Sequence, residues 1–555
     1  MQKSFLPKNS FLFLLGLVIF LNLTGLFNEI LEPDGALYAS IARQIATNGD
    51  WMNLYLHNAD WLDKPHLPFW LAALSFKIFG FSAFAYKLPS FVLFIVSVIY
   101  CYKLAKAIYG TEIAELSTLV YATALHIIIS NFDAKVEIYL TAFIAGAIYH
   151  VFRSMGDKWF WQVVAAAFLS ACAVMTKGIF ALITIGAGFI ILWIRTKQWQ
   201  EFIKPKWYLF VLLTFIFILP ELYSLYMQFD LHPEKVVYGK TNVSGIRFFF
   251  WDSQFGRFMN TGPITGNGEP SFFLHTTLWA FMPWSVVLLI ALINLFKKKE
   301  RTETNDNRWI IGGSAVVSFI LISLSRFQLP HYVVMLFPHF AMITAAYLYE
   351  NASEKALKRI NVLQTVLFAV LIAMIAGIII IYSFNTIVWF LIVLAVIAIV
   401  TFFYKTPFTL LAVFKKNIGF AFLLAVFLNC LFYPSLLQYQ AGMVAGKWLN
   451  KKGITEKVTL YKCDFYSFDF YYNGDKENNY GDPETIASSI AVNDSLLLLS
   501  SVSNMNGFQN DSVRVDLLET FPYFHVSQLN GNFVNHKTRK VETDTIGLFR
   551  VTRRY

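Results

Sequence analysis

The chain is poor in charge. Only 14% of its 555 residues are Asp, Glu, Lys or Arg, whereas 57% are apolar and 56 are phenylalanine. A soluble protein of this length needs far more charge to cover its surface, so a cytosolic enzyme is excluded. Cysteine is scarce as well. Cys101, Cys172 and Cys430 fall within apolar runs, which leaves Cys463 alone outside them. No disulfide framework is available, and a disulfide-stapled secreted domain is excluded. Internal repeats and low-complexity tracts are also missing. What the chain does have is a series of apolar runs of about 17–23 residues, each of a length that crosses a bilayer.

These runs lie near 11–27, 84–106, 113–131, 134–152, 160–176, 178–194, 207–226, 273–295, 309–325, 331–349, 360–382, 386–404 and 417–437. Thirteen spans are expected. The first follows Lys3 and Lys8 and precedes Asn28-Glu29-Ile30-Leu31 rather than a small-residue cleavage site, so it reads as a retained anchor. With the N-terminus in the cytoplasm, every second short loop is basic. These loops hold Lys103/Lys106, Arg153/Lys158, Arg195/Lys197/Lys204/Lys206, Lys297/Lys298/Lys299/Arg301/Arg308, Lys355/Lys358/Arg359 and Lys405/Lys415/Lys416. That alternation is the positive-inside pattern. The segments left outside, 28–83 and 227–272, are long and hold most of the loop carboxylates.

The sequence divides into a membrane part, 1–438, and a tail, 439–555. In the tail thirteen Lys/Arg balance thirteen Asp/Glu, so the formal charge of +10 resides in the membrane part. Orientation in the bilayer explains it, and no nucleic-acid partner is needed. The tail reads as a small α/β domain on the outer side. A helix is expected near 441–452, with strands near 457–462, 495–501, 513–517 and 546–552.

Six charged motifs share the outer side. Glu32 and Asp34 follow the first span and precede an amphipathic helix; they either cap that helix or work chemically. Asp63 and Lys64 stand ahead of an X-Pro turn and an aromatic-rich helix. They are either a surface ion pair or an interfacial phosphate site, with Asp63 orienting Lys64 or binding a metal. Asp133 and Glu137, four apart in Asn131–Glu137, share one face if a helix begins there; a helix dipole attracting carboxylates is the bland alternative. Lys177 interrupts an apolar stretch, either snorkelling or approaching an anion. Arg257, in the segment Phe250–Phe258, and Arg326, His331 and Tyr332, in Ser325–Tyr332, bring cations and a hydroxyl to the same side. Arginine suits phosphate through its planar fork, and interface anchoring is the alternative for both segments. Taken together, a carboxylate base beside a cationic phosphate cradle is what transfer from a lipid phosphate requires.

These residues resemble a known family, the lipid-linked-sugar transferases of the GT-C class. Its members include the bacterial aminoarabinose transferase that modifies lipid A and the protein O-mannosyltransferases. The likeness covers roughly residues 10–350. It is carried by Asp34-Gly35-Ala36-Leu37-Tyr38-Ala39-Ser40-Ile41-Ala42-Arg43, Asn48-Gly49-Asp50-Trp51, Lys64-Pro65 with Leu67-Pro68 and Trp70, Lys87-Leu88-Pro89-Ser90, Thr176-Lys177-Gly178, and Trp251 with Phe255, Arg257 and Phe258. The resemblance implies an all-α polytopic catalytic domain with a small C-terminal α/β domain. It implies that Asp34 is the catalytic acid residue and Asp133 the second important acid. It makes Lys64 and Arg257 holders of the donor phosphate and Tyr332 a tyrosine near the donor. The chain departs from the family pattern in several places. Asp63 stands where Glu is common and Asn267 where a His occurs; those positions bind zinc in the aminoarabinose transferase, which leaves Asp63 as the candidate ligand of a divalent metal. His66, His275 and His331 are the histidines that could replace the missing one. Gln328 stands where Lys is usual and Gly35 where a second acid is common, which leaves the acceptor open.

The expected function is glycosyl transfer at the outer face of a bacterial inner membrane. A polyprenyl-monophosphate sugar is the donor, a lipid or a protein is the acceptor, and the anomeric centre is inverted. Lys64 and Arg257 would stabilise the departing phosphate, and Asp34 would take the acceptor's proton. A transporter or flippase of a lipid-linked sugar is the rival. It predicts mid-span charges and broken helices in paired halves, whereas the charges here sit mainly at loop edges.

Overall fold

A computed structural model of the chain describes residues 8–57, 59–295, 303–384, 388–403, 409–479, 495–505 and 513–553. The basic loop residues Lys3, Lys297, Lys298, Lys299, Arg301 and Lys405 lie outside the described residues. All thirteen expected runs are helical where described. Among the described residues nine helices are long and apolar enough to cross a membrane. A tenth arises if Thr111–Ala122 and Leu125–Asp133, bent by 56°, form one span. The other runs are shorter or broken. Ala181–Arg195 and Trp389–Thr401 are short apolar helices, and run 273–295 is split into Phe272–Ala280 and Ser285–Leu295. The chain is a multi-pass membrane protein.

Local sequence sets the helix ends that matter for the site. The first-loop helix Asp34–Asn48 buries Ala36, Ala39, Ala42, Ile45 and Ala46 on one face and stops at Gly49, whose φ of 73° suits glycine. The long helix Ala83–Tyr109 is capped by Ser82, whose hydroxyl accepts from the Ala85 N–H at 3.1 Å. Close packing fixes a second glycine. A Cβ on Gly188, in Ala181–Arg195, would lie 1.9 Å from the Ile310 carbonyl oxygen of the crossing helix Glu303–Leu324. The two backbones approach closely because that position has no side chain. The Gly188 N–H donates to Ser314 at 3.1 Å, and Ser318 donates to Thr184 at 2.9 Å.

The C-terminal segment folds onto the first loop. Its sheet runs in the order Lys476–Asn479, Val458–Tyr461, Ser495–Ser501, Asp544–Arg553, Val513–Tyr523. The first two pairings are parallel and the last two antiparallel. Helix Ala441–Lys451 and strands 458–461, 495–501 and 544–553 match the expected elements. The strand starting at Val513 is longer than expected, running to Tyr523. Lys476–Asn479 was not expected at all, because its Lys-Glu-Asn-Asn composition has no strand pattern.

The docking onto the first loop is polar and extensive. Gln440 accepts from the Glu32 N–H at 2.7 Å and donates to the Ile30 carbonyl at 2.9 Å. The Tyr471 hydroxyl meets both the Ile30 N–H, at 2.9 Å, and the Glu29 carboxylate, at 2.7 Å. Ser40 donates to the Tyr466 carbonyl at 3.1 Å, and His57 pairs with Asp469.

Candidate active site

The site begins where the first span ends. Lys87, fully buried, donates to the carbonyls of Gly25 at 3.3 Å, Asn28 at 2.9 Å and Glu29 at 3.1 Å. Its ammonium lies 4.5 Å from the centre of the Phe132 ring. One cation thus ties the entry to the first loop to the helix that carries Asp133.

Asp34 opens the helix Asp34–Asn48. The position before it is Pro33, and no side chain caps this helix. The capping alternative therefore fails for Asp34. Its carboxylate is half exposed and receives Lys135 Nζ at 3.5 Å. Lys135 also reaches Asp133 at 3.0 Å. Although burial opposes it, the Asp133 and Asp34 charges hold the Lys135 ammonium above its ordinary range. Asp133 and Glu137 do not share a helix face as expected. Asp133 ends one helix, Ala134 turns with φ 51°, and Glu137 sits in the first turn of Val136–Arg153. That left-handed turn aims the two carboxylates differently, and each meets its own lysine. Glu137 is fully buried, paired with Lys177, and 3.7 Å from His331 Nε2. Lys177 ends Trp159–Lys177, and its ammonium lies 3.6 Å from the centre of the Tyr332 ring. The following Gly178 has φ 102°, and a Cβ there would overlap the Gln254 side chain.

Asp63 is held from both sides, by Lys64 and by Arg257. Burial acts to raise its carboxyl, but the two cations win and keep it below its ordinary range. Burial lowers the Lys64 ammonium, Asp63 opposes this, and Arg257 adds to it. The cluster of one carboxylate and two cations carries a net positive charge. The Asp34–Lys135–Asp133 cluster has two carboxylates for one cation and is net negative.

The turn after Lys64 is anchored from the membrane. Glu221, fully buried in the helix Pro205–Leu225, accepts from the His66 N–H at 3.0 Å and meets His66 Nδ1 at 2.9 Å. His66 Nε2 faces the Met52 carbonyl at 3.1 Å, so that nitrogen carries a hydrogen. Seven residues on, Gln228 accepts from the Leu54 N–H at 3.0 Å and donates to the Leu54 carbonyl at 2.8 Å and to Asp60 at 3.0 Å.

Two cavities adjoin across this constellation. One, of about 140 Å³, is mainly apolar; Leu140, Phe180, Leu225, Phe248, Phe249, Ile322 and Met335 contribute to it. The other, of about 180 Å³, is less apolar and richer in charged side chains; Asp34, Tyr38, Asp133, Lys135 and His331 contribute to it. Asp63, Lys64, Glu137, Lys177, Arg257, Phe327 and Tyr332 line both. Of the sequence-derived candidates, Asp34, Asp63, Lys64, Asp133, Glu137, Lys177, Arg257, His331 and Tyr332 come together. Two do not. Arg326 is exposed and lines neither cavity. Glu32 faces the C-terminal segment, where it accepts from the Ser467 N–H at 2.6 Å, and burial pushes its carboxyl up to about 7. Sequence reasoning did not single out Lys135 or Glu221, and it offered His66 only as a possible metal ligand. Glu221 carried the clearest signal, as the one charge in the apolar run 207–226.

Asp63 is engaged by two cations, and among the described residues no group of three His, Cys, Asp or Glu side chains is placed to hold a metal. The Asp63 carboxylate lies between Lys64 and Arg257 and pairs with both.

Residues 63–223 match the family described as dolichyl-phosphate-mannose-protein mannosyltransferase. An uncharacterized protein of Aquifex aeolicus is 24% identical over 458 residues, 81% of this chain and 83% of that protein. The undecaprenyl phosphate-alpha-4-amino-4-deoxy-L-arabinose arabinosyl transferase 2 of Proteus mirabilis is 22% identical over 358 residues, 62% of this chain and 61% of its own length. The chain thus spans about three-fifths of the arabinosyl transferase it matches. In fold, ArnT from Cupriavidus metallidurans bound to undecaprenyl phosphate superposes with a TM-score of 0.71 at 15% identity, over 97% of each chain. In fold the chain is similar to ArnT, and in sequence it is similar to the undecaprenyl-phosphate aminoarabinose transferases and, over residues 63–223, to the dolichyl-phosphate-mannose-protein mannosyltransferase family.

Proposed function

We propose that this protein is a glycosyltransferase that moves a sugar from a polyprenyl-monophosphate donor to an acceptor hydroxyl, on a lipid or a protein, at the outer face of a bacterial inner membrane. The observation that carries the reading is the shared wall between a mainly apolar cavity and one lined by charged side chains. An isoprenoid chain suits the apolar side, where each buried methylene contributes about 0.8 kcal/mol. Its phosphate would lie at the net-positive cluster of Lys64, Arg257 and Asp63, with Lys177 and Tyr332 beside it. The glycosyl group would then project into the charged cavity toward Asp34.

In the reaction the acceptor oxygen bonds to the anomeric carbon while the bond from that carbon to the phosphate oxygen breaks. Attack from the face opposite the phosphate inverts the centre. Asp34 takes the hydroxyl proton as general base. The polyprenyl phosphate leaves with the bonding electrons, and Lys64 and Arg257 stabilise the charge that grows on it. Opposite local charge at the two ends suits this division of labour: positive where the phosphate departs, negative where a proton is removed. Asp133 holds Lys135 in place beside Asp34. The N-terminus is assigned to the cytoplasm and residues 439–555 to a periplasmic domain that packs over the first outer loop.

The test is reconstitution in liposomes with synthetic polyprenyl-phosphate sugars and envelope extracts as acceptor. Sugar transfer with release of polyprenyl phosphate is expected. Lys64→Ala should weaken binding of undecaprenyl phosphate about tenfold or more, the scale of a lost charge-assisted bond. Unchanged binding in that variant, or no transfer from any such donor by the wild type, would contradict the proposal.

A further inference from the structure

We infer that Glu137 is a specificity-determining residue whose second carboxylate oxygen accepts a hydrogen bond from a neutral hydroxyl of the transferred sugar. The inference rests on the functional reading above and names the sugar class for that same site.

Glu137 is fully buried, yet only one of its oxygens is used. Oε1 receives Lys177 and lies 3.7 Å from His331 Nε2; Oε2 is buried and has no hydrogen-bond partner among the described residues. A buried carboxylate oxygen left unpaired is costly, and native structures seldom leave one without a reason. The place supplies the reason. Glu137 is one of the residues that line both cavities. A glycosyl group running from the Lys64–Arg257 cluster toward Asp34 has to pass this wall. Its hydroxyls would meet Oε2 there and satisfy it.

The surroundings decide between a hydroxyl and an ammonium. The Glu137 charge is already matched by Lys177, and His331 stands on the same side. Lys135 is near enough to act on it electrostatically. An ammonium at Oε2 would sit beside Lys177, which already matches the Glu137 charge, whereas a neutral hydroxyl meets only an open acceptor. The discrimination follows from the same logic. A pocket built to bond a substrate hydroxyl rejects the analogue that lacks it, because the pocket group is then left unpaired.

The test uses polyprenyl-phosphate donors of one neutral sugar, its monodeoxy analogues, and analogues with an amine in place of each hydroxyl. For wild type, one hydroxyl position should lower kcat/KM at least about a hundredfold when deleted, and the amine at that position should be no better than the deletion. In Glu137→Leu the penalty for that deletion should shrink to about threefold or less. The ratio is the readout, so a general loss of activity does not mimic it. If Glu137→Leu folds poorly with Lys177 unpaired, the Glu137→Leu/Lys177→Met double variant gives the same ratio with neither charge stranded. An undiminished ratio in a folded variant would overturn the inference, as would preference for the amine. Failure of the wild type to use any polyprenyl-phosphate sugar would instead sink the functional reading.

Discussion

The strut between the membrane and the turn that carries Lys64 is open to a quantitative test. Glu221 and His66 are both essentially buried, and they share two contacts, one through the His66 backbone and one through its ring. Glu221→Ala leaves a buried backbone N–H and a buried ring nitrogen without partners, each worth about 1–3 kcal/mol. Breaking one side of a buried pair costs about 3–5 kcal/mol in total. His66→Ala removes the ring contact alone and leaves Glu221 with the backbone N–H only, so its cost should be somewhat smaller. In the double variant the ring interaction is absent once rather than lost twice. The expected coupling is therefore about 2 kcal/mol, well above the scatter of independent sites. Reversible unfolding in mixed micelles of the wild type, both single variants and the double variant measures it. The single variants should also weaken donor binding, because His66 lies two residues from Lys64. Additivity within about 0.5 kcal/mol would refute the strut.

Two further outcomes follow from the packing and the electrostatics. Gly188→Ala places a methyl group against the Ile310 carbonyl and should cost about 1–3 kcal/mol or more by overpacking, read as a lower melting temperature. Gly186→Ala is the control, since nothing lies within 4 Å of that Cβ, and an equal fall in both variants would contradict the account. Docking of the C-terminal segment should weaken as pH rises through about 7. For Glu32, burial raises the carboxyl from 4.5 to about 7, so its contribution is full below 4.5 and is lost as pH rises through about 7. For His57, burial acts to lower the ring, but the Asp469 contact outweighs it and raises the value above 6.5. Its contribution is therefore full below 6.5 and is lost as pH rises through the raised value, in the same direction. Limited proteolysis between pH 6 and 8.5 should show faster release of the segment at the alkaline end, and Glu32→Gln/His57→Gln should flatten the profile. A wild-type rate independent of pH would contradict it.

The fold was largely legible because the bilayer imposes a length and a composition on every span. Broken spans were harder to read. Run 273–295 looks continuous in sequence, yet the helix stops at Ala280 and resumes at Ser285 around Met282-Pro283. Lys177 was legible for the same reason, as a charge between two apolar runs, whereas Asp34, Lys64 and Arg257 were legible only as charges in the long outer segments. Lys135 was not, because a lysine between two carboxylates reads as ordinary neutralisation at a helix start until Ala134 turns the chain and brings Asp34 across. His66 and Glu221 lie 155 positions apart, and no local pattern announces that they touch. Glu32 and Arg326 misled in the opposite sense. Each has the right charge near the right place, but one is taken up by the C-terminal segment and the other points to solvent. Distance from a span end cannot separate these cases; tertiary contacts do.

The central claim is that Asp34 removes a proton from the acceptor beside a phosphate held by Lys64 and Arg257. Asp34→Asn keeps the shape of a half-exposed side chain whose carboxylate contact is Lys135, so folding and undecaprenyl phosphate binding should stay close to wild type. Turnover of a polyprenyl-phosphate sugar in liposomes should fall about 10²–10⁴-fold, the contribution of a positioned general base. An Asp34→Asn protein that binds the lipid phosphate normally and transfers sugar at the wild-type rate would contradict the account.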